Sequence, residues 1–123
     1  MIPRAAAIVA TMLTLASPCL AAGDAARGKE LFQRCSTCHS LTAGQNGVGP
    51  TLHGIFGSKA GDVPGYNFSK AMASSGIVWS EATLKKYLSD PDASVPGTKM
   101  RTGAVDDPQA LDDLIAYLQQ AAR

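Results

Sequence analysis

Apolar residues fall into separated clusters along the chain, and most clusters carry a helical period. Over residues 24 to about 38, Gly28, Leu31, Phe32 and Cys35 share one helical face, with Asp24 placed as an N-cap. Residues 40–65 show no period. They hold Gly44, Gly47, Gly49, Pro50, Gly54, Gly57, Gly61, Pro64 and Gly65, and read as loop. Residues 67–74 predict a short helix stopped near Gly76. Ser80 caps a predicted helix over 81–89, with Leu84, Tyr87 and Leu88 on one face and Pro91 ending it. Asp107 and Pro108 form an N-cap and N1 pair. They open a last helix to about 121, where Leu111, Leu114, Ile115 and Leu118 follow an i, i+3, i+4, i+7 pattern. No segment alternates as a strand would. The pattern therefore predicts a small all-α domain of about four to five short helices and long loops. A loop as long as 40–65 inside such a domain needs something to organise it.

The first 22 residues do not share this pattern. Arg4 precedes a nearly charge-free apolar run over 5–15, followed by Ser17-Pro18-Cys19-Leu20-Ala21-Ala22. This is the order of a secretory signal peptide, with cleavage expected after Ala21 or Ala22. The run is too short to span about 30 Å of hydrocarbon. The expected mature chain, 23–123, is a single domain, ordinary in size for one core.

Composition narrows the function classes. The chain carries 11 Lys+Arg and 10 Asp+Glu, a formal charge of +1, which excludes a strongly basic nucleic-acid binder. Loss of the leader removes Arg4 and no acid, so the mature chain is formally neutral. Apolar residues make up 46 %, enough for a packed core and against wholesale disorder. Of the 3 cysteines, Cys19 leaves with the leader. Cys35 and Cys38 remain, too few for a disulfide-built fold.

Cys35-Ser36-Thr37-Cys38-His39 is a C-x-x-C-H run, the signature of a covalently attached haem. Two thiols at this spacing can add to the two vinyl groups on one edge of the ring, and the following imidazole can reach the iron. A thioredoxin-like redox pair would need a βαβ setting, which is missing. A zinc site would need a second cysteine pair, and His53 is the only other good ligand. Export also suits haem, because thioether attachment takes place outside the cytoplasm. Candidates for the second axial position downstream are His53, Met72, Met100 and lysines. Met100 follows Pro96-Gly97, a rigid turn that would hold a soft, weak ligand in a loop. Met72 reads as core filler and His53 as a solvated loop histidine. His/Met ligation favours ferrous iron, raises the reduction potential and leaves no open position for substrate.

Over residues 24–120 the sequence closely resembles class I c-type cytochromes of the mitochondrial and bacterial c2-like group. Beyond the C-x-x-C-H run, the resemblance rests on Gly49-Pro50-Thr51-Leu52-His53-Gly54 with Phe56-Gly57 and on Tyr66-Asn67-Phe68-Ser69 with Ala71. It continues through Gly76-Ile77-Val78-Trp79, Leu84 with Tyr87-Leu88, Pro96-Gly97-Thr98-Lys99-Met100 and Leu114-Ile115-Ala116-Tyr117-Leu118. It implies a cytochrome c fold around one haem c, bound through Cys35 and Cys38 and ligated by His39 and Met100. It implies that the Pro50 carbonyl accepts a hydrogen bond from His39. It further implies that Tyr87 bonds the Met100 sulfur, and that Trp79 bonds a buried propionate. Gly28 and Phe32 would meet Leu114 and Tyr117 where the terminal helices cross. Phe68, Met72 and Thr98 would stand around the haem, Met72 without binding iron. Phe68 replaces a frequent tyrosine, Met72 an asparagine, Ser58 an arginine and Thr102 an aromatic residue. These changes bear on the potential and on exposure of the haem edge, not on ligation.

The resemblance implies a soluble, periplasmic, monomeric electron carrier rather than an enzyme. It would take single electrons from a membrane quinol-oxidising complex or a dehydrogenase, by transient docking at the haem edge. It would deliver them to a terminal oxidase, reductase or photosynthetic centre. Lys59, Lys70, Lys85, Lys86 and Lys99 are the candidates for steering acidic partners. No nucleic acid and no small-molecule substrate is expected. The leader points to a bacterium. Two other readings compete: a gas-binding or peroxide-reducing haem protein, and a dedicated haem subunit of a larger oxidoreductase.

Overall fold

The computed structural model describes residues 1–14 and 23–123; the expected cleavage region at Ala21 and Ala22 lies outside them. Residues 1–14 have no regular secondary structure and are exposed. No helix among the described residues is long and apolar enough to cross a membrane. Five helices follow in order: α1 (Ala25–Cys35), α2 (Lys70–Ala73), α3 (Glu81–Ser89), α4 (Pro91–Ser94) and α5 (Pro108–Ala121).

Each helix begins where side-chain chemistry satisfies its first N–H groups. The Asp24 carboxylate accepts from Ala26 and Arg27 N–H at α1, and Asp107 accepts from Ala110 N–H at α5. Ser80 and Thr83 form a capping box at α3. α1 is shorter than predicted. It ends at Cys35, and the N–H groups of Cys38 and His39 both turn back to the Cys35 carbonyl at 3.0 and 2.9 Å. The predicted helix over 67–74 shrinks to α2 because Ser69 is its cap, its Oγ accepting from Met72 N–H at 3.0 Å. Pro91 does not only end α3. With Asp90 as cap it also opens α4, since a proline at N1 forfeits a donor that had no partner anyway.

The core is built on the crossing of α1 and α5. Gly28 sits at the contact, where a Cβ would lie 2.0 Å from the Asp113 carbonyl oxygen. Only glycine allows the two backbones this close. Phe32 packs on Tyr117 with ring centroids 5.5 Å apart, and Leu114 and Ile115 are almost wholly enclosed. α3 lies against α5, and its Leu84, Tyr87 and Leu88 are all buried.

The long loop is organised by hydrogen bonds as well as by what it surrounds. Asn46 ties its two ends, donating to the Pro64 carbonyl at 3.0 Å and accepting from Thr51 N–H at 2.9 Å. Gly54 N–H reaches the Ala122 carbonyl, and a single antiparallel bridge joins Lys59 to Val78. Side-chain caps of this kind satisfy a loop's backbone without a ladder.

Candidate cofactor site

α1, the long loop, α2, α3 and the loop before α5 enclose a cavity of about 440 Å³. Its wall is mostly apolar, from Phe32 and Leu52 through Phe68, Met72 and Trp79 to Leu84 and Leu114. Set into that wall are Cys35, His39, Pro50, Tyr87, Thr98 and Met100. The volume is that of a cofactor pocket. A second, outer opening shares Cys35, His39, Pro50 and Met100 and adds Cys38, Arg34, Lys99, Arg101 and Thr102.

His39 follows directly on the turn that ends α1, so both cysteines and the imidazole belong to one local structure. Its Nδ1 lies 2.8 Å from the Pro50 carbonyl oxygen. A carbonyl only accepts, so Nδ1 carries the proton and the Nε2 lone pair is left for a ligand bond. Gly49 brings the loop alongside the ring: a Cβ there would stand 2.4 Å from Cε1 of His39. Cys35 is half-buried, which pushes its thiol pKa up, while the Arg34 charge pulls the other way. Neither Cys35 nor Cys38 is in a disulfide.

Met100 is half-buried at the start of an irregular stretch and lines both openings. The Tyr87 hydroxyl is differently engaged than the resemblance implies. It is 2.6 Å from the Thr98 hydroxyl, and it makes no hydrogen bond to the Met100 sulfur. Thr98 is buried two residues before Met100. Burial raises the Tyr87 pKa, the bond to Thr98 opposing it. The Trp79 ring is buried against Tyr87 at 5.3 Å. Met72 is buried in the cavity wall, and Phe68 is half-buried there with Tyr66 edge-on at 4.8 Å. His53 is exposed at the cavity margin.

The predicted lysines divide. Lys59, Lys70 and Lys86 are exposed. Lys99 donates to the Asn67 carbonyl at 2.6 Å. Lys85 is spoken for, bridging Asp112 at 2.6 Å and Glu81 at 2.9 Å, which also raises its pKa. Arg34 and Arg101 join Lys99 around the outer opening, whose lining holds no Asp or Glu. Both arginines were legible in the sequence by adjacency, Arg34 beside Cys35 and Arg101 beside Met100, although the expected steering charges were lysines alone.

The donor set fits a haem: paired thiols, an imidazole with its far nitrogen tied down, a thioether and a largely apolar cavity. No group of three or more His, Cys, Asp or Glu among the described residues forms a bare-ion site.

Comparison with known proteins shows the family. A sequence model described as cytochrome c matches residues 25–122. Cytochrome c2 of Rhodomicrobium vannielii is 45 % identical over 113 residues, 91 % of this chain and 90 % of that one. Cytochrome c of Arabidopsis thaliana is 45 % identical over 103 residues, 82 % of this chain and 92 % of that one. The solved structure of cytochrome cH from Methylobacterium extorquens superposes with a TM-score of 0.74 at 49 % identity, covering 80 % of this chain and 99 % of that one. The fold and site define an all-α, class I c-type cytochrome with one covalently attached haem c. The chain belongs to the cytochrome c family and is a monohaem electron carrier.

Proposed function

We propose that this carrier works in the bacterial periplasm as a soluble monomer, with haem c held by Cys35 and Cys38 and with His39 and Met100 as axial ligands. Bound haem supplies an iron that stores one electron. The observation that carries the reading is that one cavity is lined by Met100 and by a His39 whose Nδ1–H is fixed on the Pro50 carbonyl. That bond holds the ring's tautomer and orientation and raises the basicity of Nε2. The Pro50 ring restricts φ at the residue whose carbonyl accepts that bond. The apolar wall excludes water and leaves few groups to reorganise when charge changes. Trp79 offers its indole N–H to a propionate.

Partners are redox proteins that dock briefly: a membrane quinol-oxidising complex or dehydrogenase on one side, and a terminal oxidase, reductase or photosynthetic centre on the other. The cationic lining of the outer opening, Arg34, Lys99 and Arg101, suits acidic partner surfaces. Lys59, Lys70 and Lys86 add exposed charge, whereas Lys85 is outweighed by its two carboxylates.

Optical spectra of the exported protein test the ligation. The expected result is a weak far-red charge-transfer band in the ferric protein that disappears on reduction, with a ferrous spectrum unmoved by CO. A high-spin ferric spectrum or prompt CO binding would remove Met100 from the iron and favour a gas-binding or peroxide-reducing protein. Mass measurement of the purified protein checks the leader in the same preparation: the expected mass is that of a chain starting at Ala22 or Gly23 plus one haem.

A further inference from the structure

The cavity wall contains a second thioether besides that of Met100, and the two are held very differently. Met72 lies in α2, is only 8 % exposed, and its N–H is fixed by the Ser69 cap at 3.0 Å. Met100 is half-buried and begins a stretch with few bonds. Its N–H meets the Thr98 hydroxyl at 3.4 Å, and the next link is the 3.3 Å bond from Arg34 to the Ala104 carbonyl. Backbone this sparsely bonded opens at low free energy. Gly103, at φ 87°, carries only hydrogen where a Cβ would stand 3.3 Å from Cε of Met100, so nothing bulky clamps the thioether from that side.

The same two segments touch. A Cβ at Gly97 would lie 3.3 Å from that of Ala71, and Lys99 Nζ binds the Asn67 carbonyl at 2.6 Å. The Met100 loop therefore rests on α2 and its approach, next to Met72.

We propose that Met72 is a reserve axial ligand, which takes the iron when the Met100 loop opens. The inference rests on the reading of Met100 as the resting ligand. The exchange breaks one iron–thioether bond and forms another. Both ligands are neutral, so no proton or electron moves. Methionine suits the task because its unbranched chain repacks easily and its sulfur needs no deprotonation. The lysines at the cavity margin would each have to lose a proton and hydration first, and Lys99 is engaged by Asn67. The consequence is protective: opening of the loop would not expose iron to small ligands, and the carrier would stay a carrier.

Four ferric proteins test this: wild type, Met72→Leu, Met100→Ala and the double variant, with leucine chosen to conserve volume. Wild type and M72L should show the far-red thioether band if Met100 is the resting ligand. M100A should keep a thioether band, independent of pH through neutrality, and the double variant should lose it. Imidazole gives a second readout. A reserve ligand bound nine-tenths of the time would weaken imidazole binding to M100A by about tenfold relative to the double variant. An M100A protein without the band, binding imidazole as the double variant does, overturns the reserve ligand and leaves the Met100 reading intact. A pH-dependent nitrogen-ligated spectrum in M100A overturns it in favour of a lysine. A band lost in M72L but kept in M100A would overturn the Met100 reading itself, and the reserve role with it.

Discussion

Asp113 is a carboxylate inside an otherwise apolar helix crossing, 4 % exposed on α5. It accepts from Asp24 N–H at 2.7 Å and from the Gln109 amide at 3.0 Å, so it fastens the start of α1 to α5. The backbone bond from Asp24 is the main cause of its depressed pKa. The Gln109 bond adds to it, and burial opposes both. A carboxyl whose pKa is lower folded than unfolded binds its proton more tightly in the unfolded chain. Its contribution to stability is therefore complete above the unfolded value of about 3.9 and fades as pH falls through the folded value. Asp113→Asn keeps the shape but removes the ionisation. The expected outcome in denaturation at a series of pH values is a variant less stable than wild type near neutrality. The gap should close as pH drops below about 4, the unfolded reference. A gap that stayed constant down to strong acid would show that charge on Asp113 plays no part.

At the scale of elements, the crossing of α1 and α5 depends on the absence of a single methyl group. Gly28→Ala would put a Cβ 2.0 Å from the Asp113 carbonyl oxygen, which is backbone and cannot swing away. Overpacking of this kind costs about 1–3 kcal/mol. The variant should lose that much unfolding free energy in urea denaturation, read as a lower midpoint at unchanged m, while leaving the far-red band in place, since Met100 lies in a different segment. Gly28 was legible in the sequence as one of the residues on the apolar face of α1, and so were the caps Asp24, Ser80 and Asp107. Such features were readable because they are local: a capping side chain and a 3.6-residue period need only near neighbours. α4 was not legible, because Pro91 signals the end of one helix and the start of the next with the same residue. The role of Asn46 was hidden for the opposite reason. Its partners Pro64 and Thr51 come together only when the loop closes. Within the site, the Cys35–Cys38–His39 run and the His39–Pro50 pair were legible from spacing and resemblance. The Tyr87–Thr98 pair was not, because two buried hydroxyls choose each other by a local distance that no motif encodes.

Over residues 23–123 the polypeptide of the whole molecule is formally neutral, yet its charge is not evenly spread. Arg34, Lys99 and Arg101 surround the outer opening with no acid among its lining residues. Lys85 sits between Glu81 and Asp112 in a group of net negative charge, which offers an anion no attraction. A neutral polypeptide whose haem propionates add negative charge, but which has one cationic mouth, should attract anions there without attracting them overall. Small inorganic reagents separate these effects without a natural partner. Oxidation of the ferrous protein by anionic ferricyanide should slow as ionic strength rises from about 0.01 M to about 0.15 M, because the Debye length shrinks from about 30 Å to about 8 Å. A cationic ruthenium ammine complex should show the reverse trend. Arg101→Gln should lower the ferricyanide rate at low salt and flatten its salt dependence, whereas Lys85→Gln should leave the slope as it is. Equal slopes for R101Q and wild type would mean that electrons enter and leave elsewhere on the surface. A loss of slope in K85Q would place the entry point near α3 instead, where the exposed Lys86 also lies.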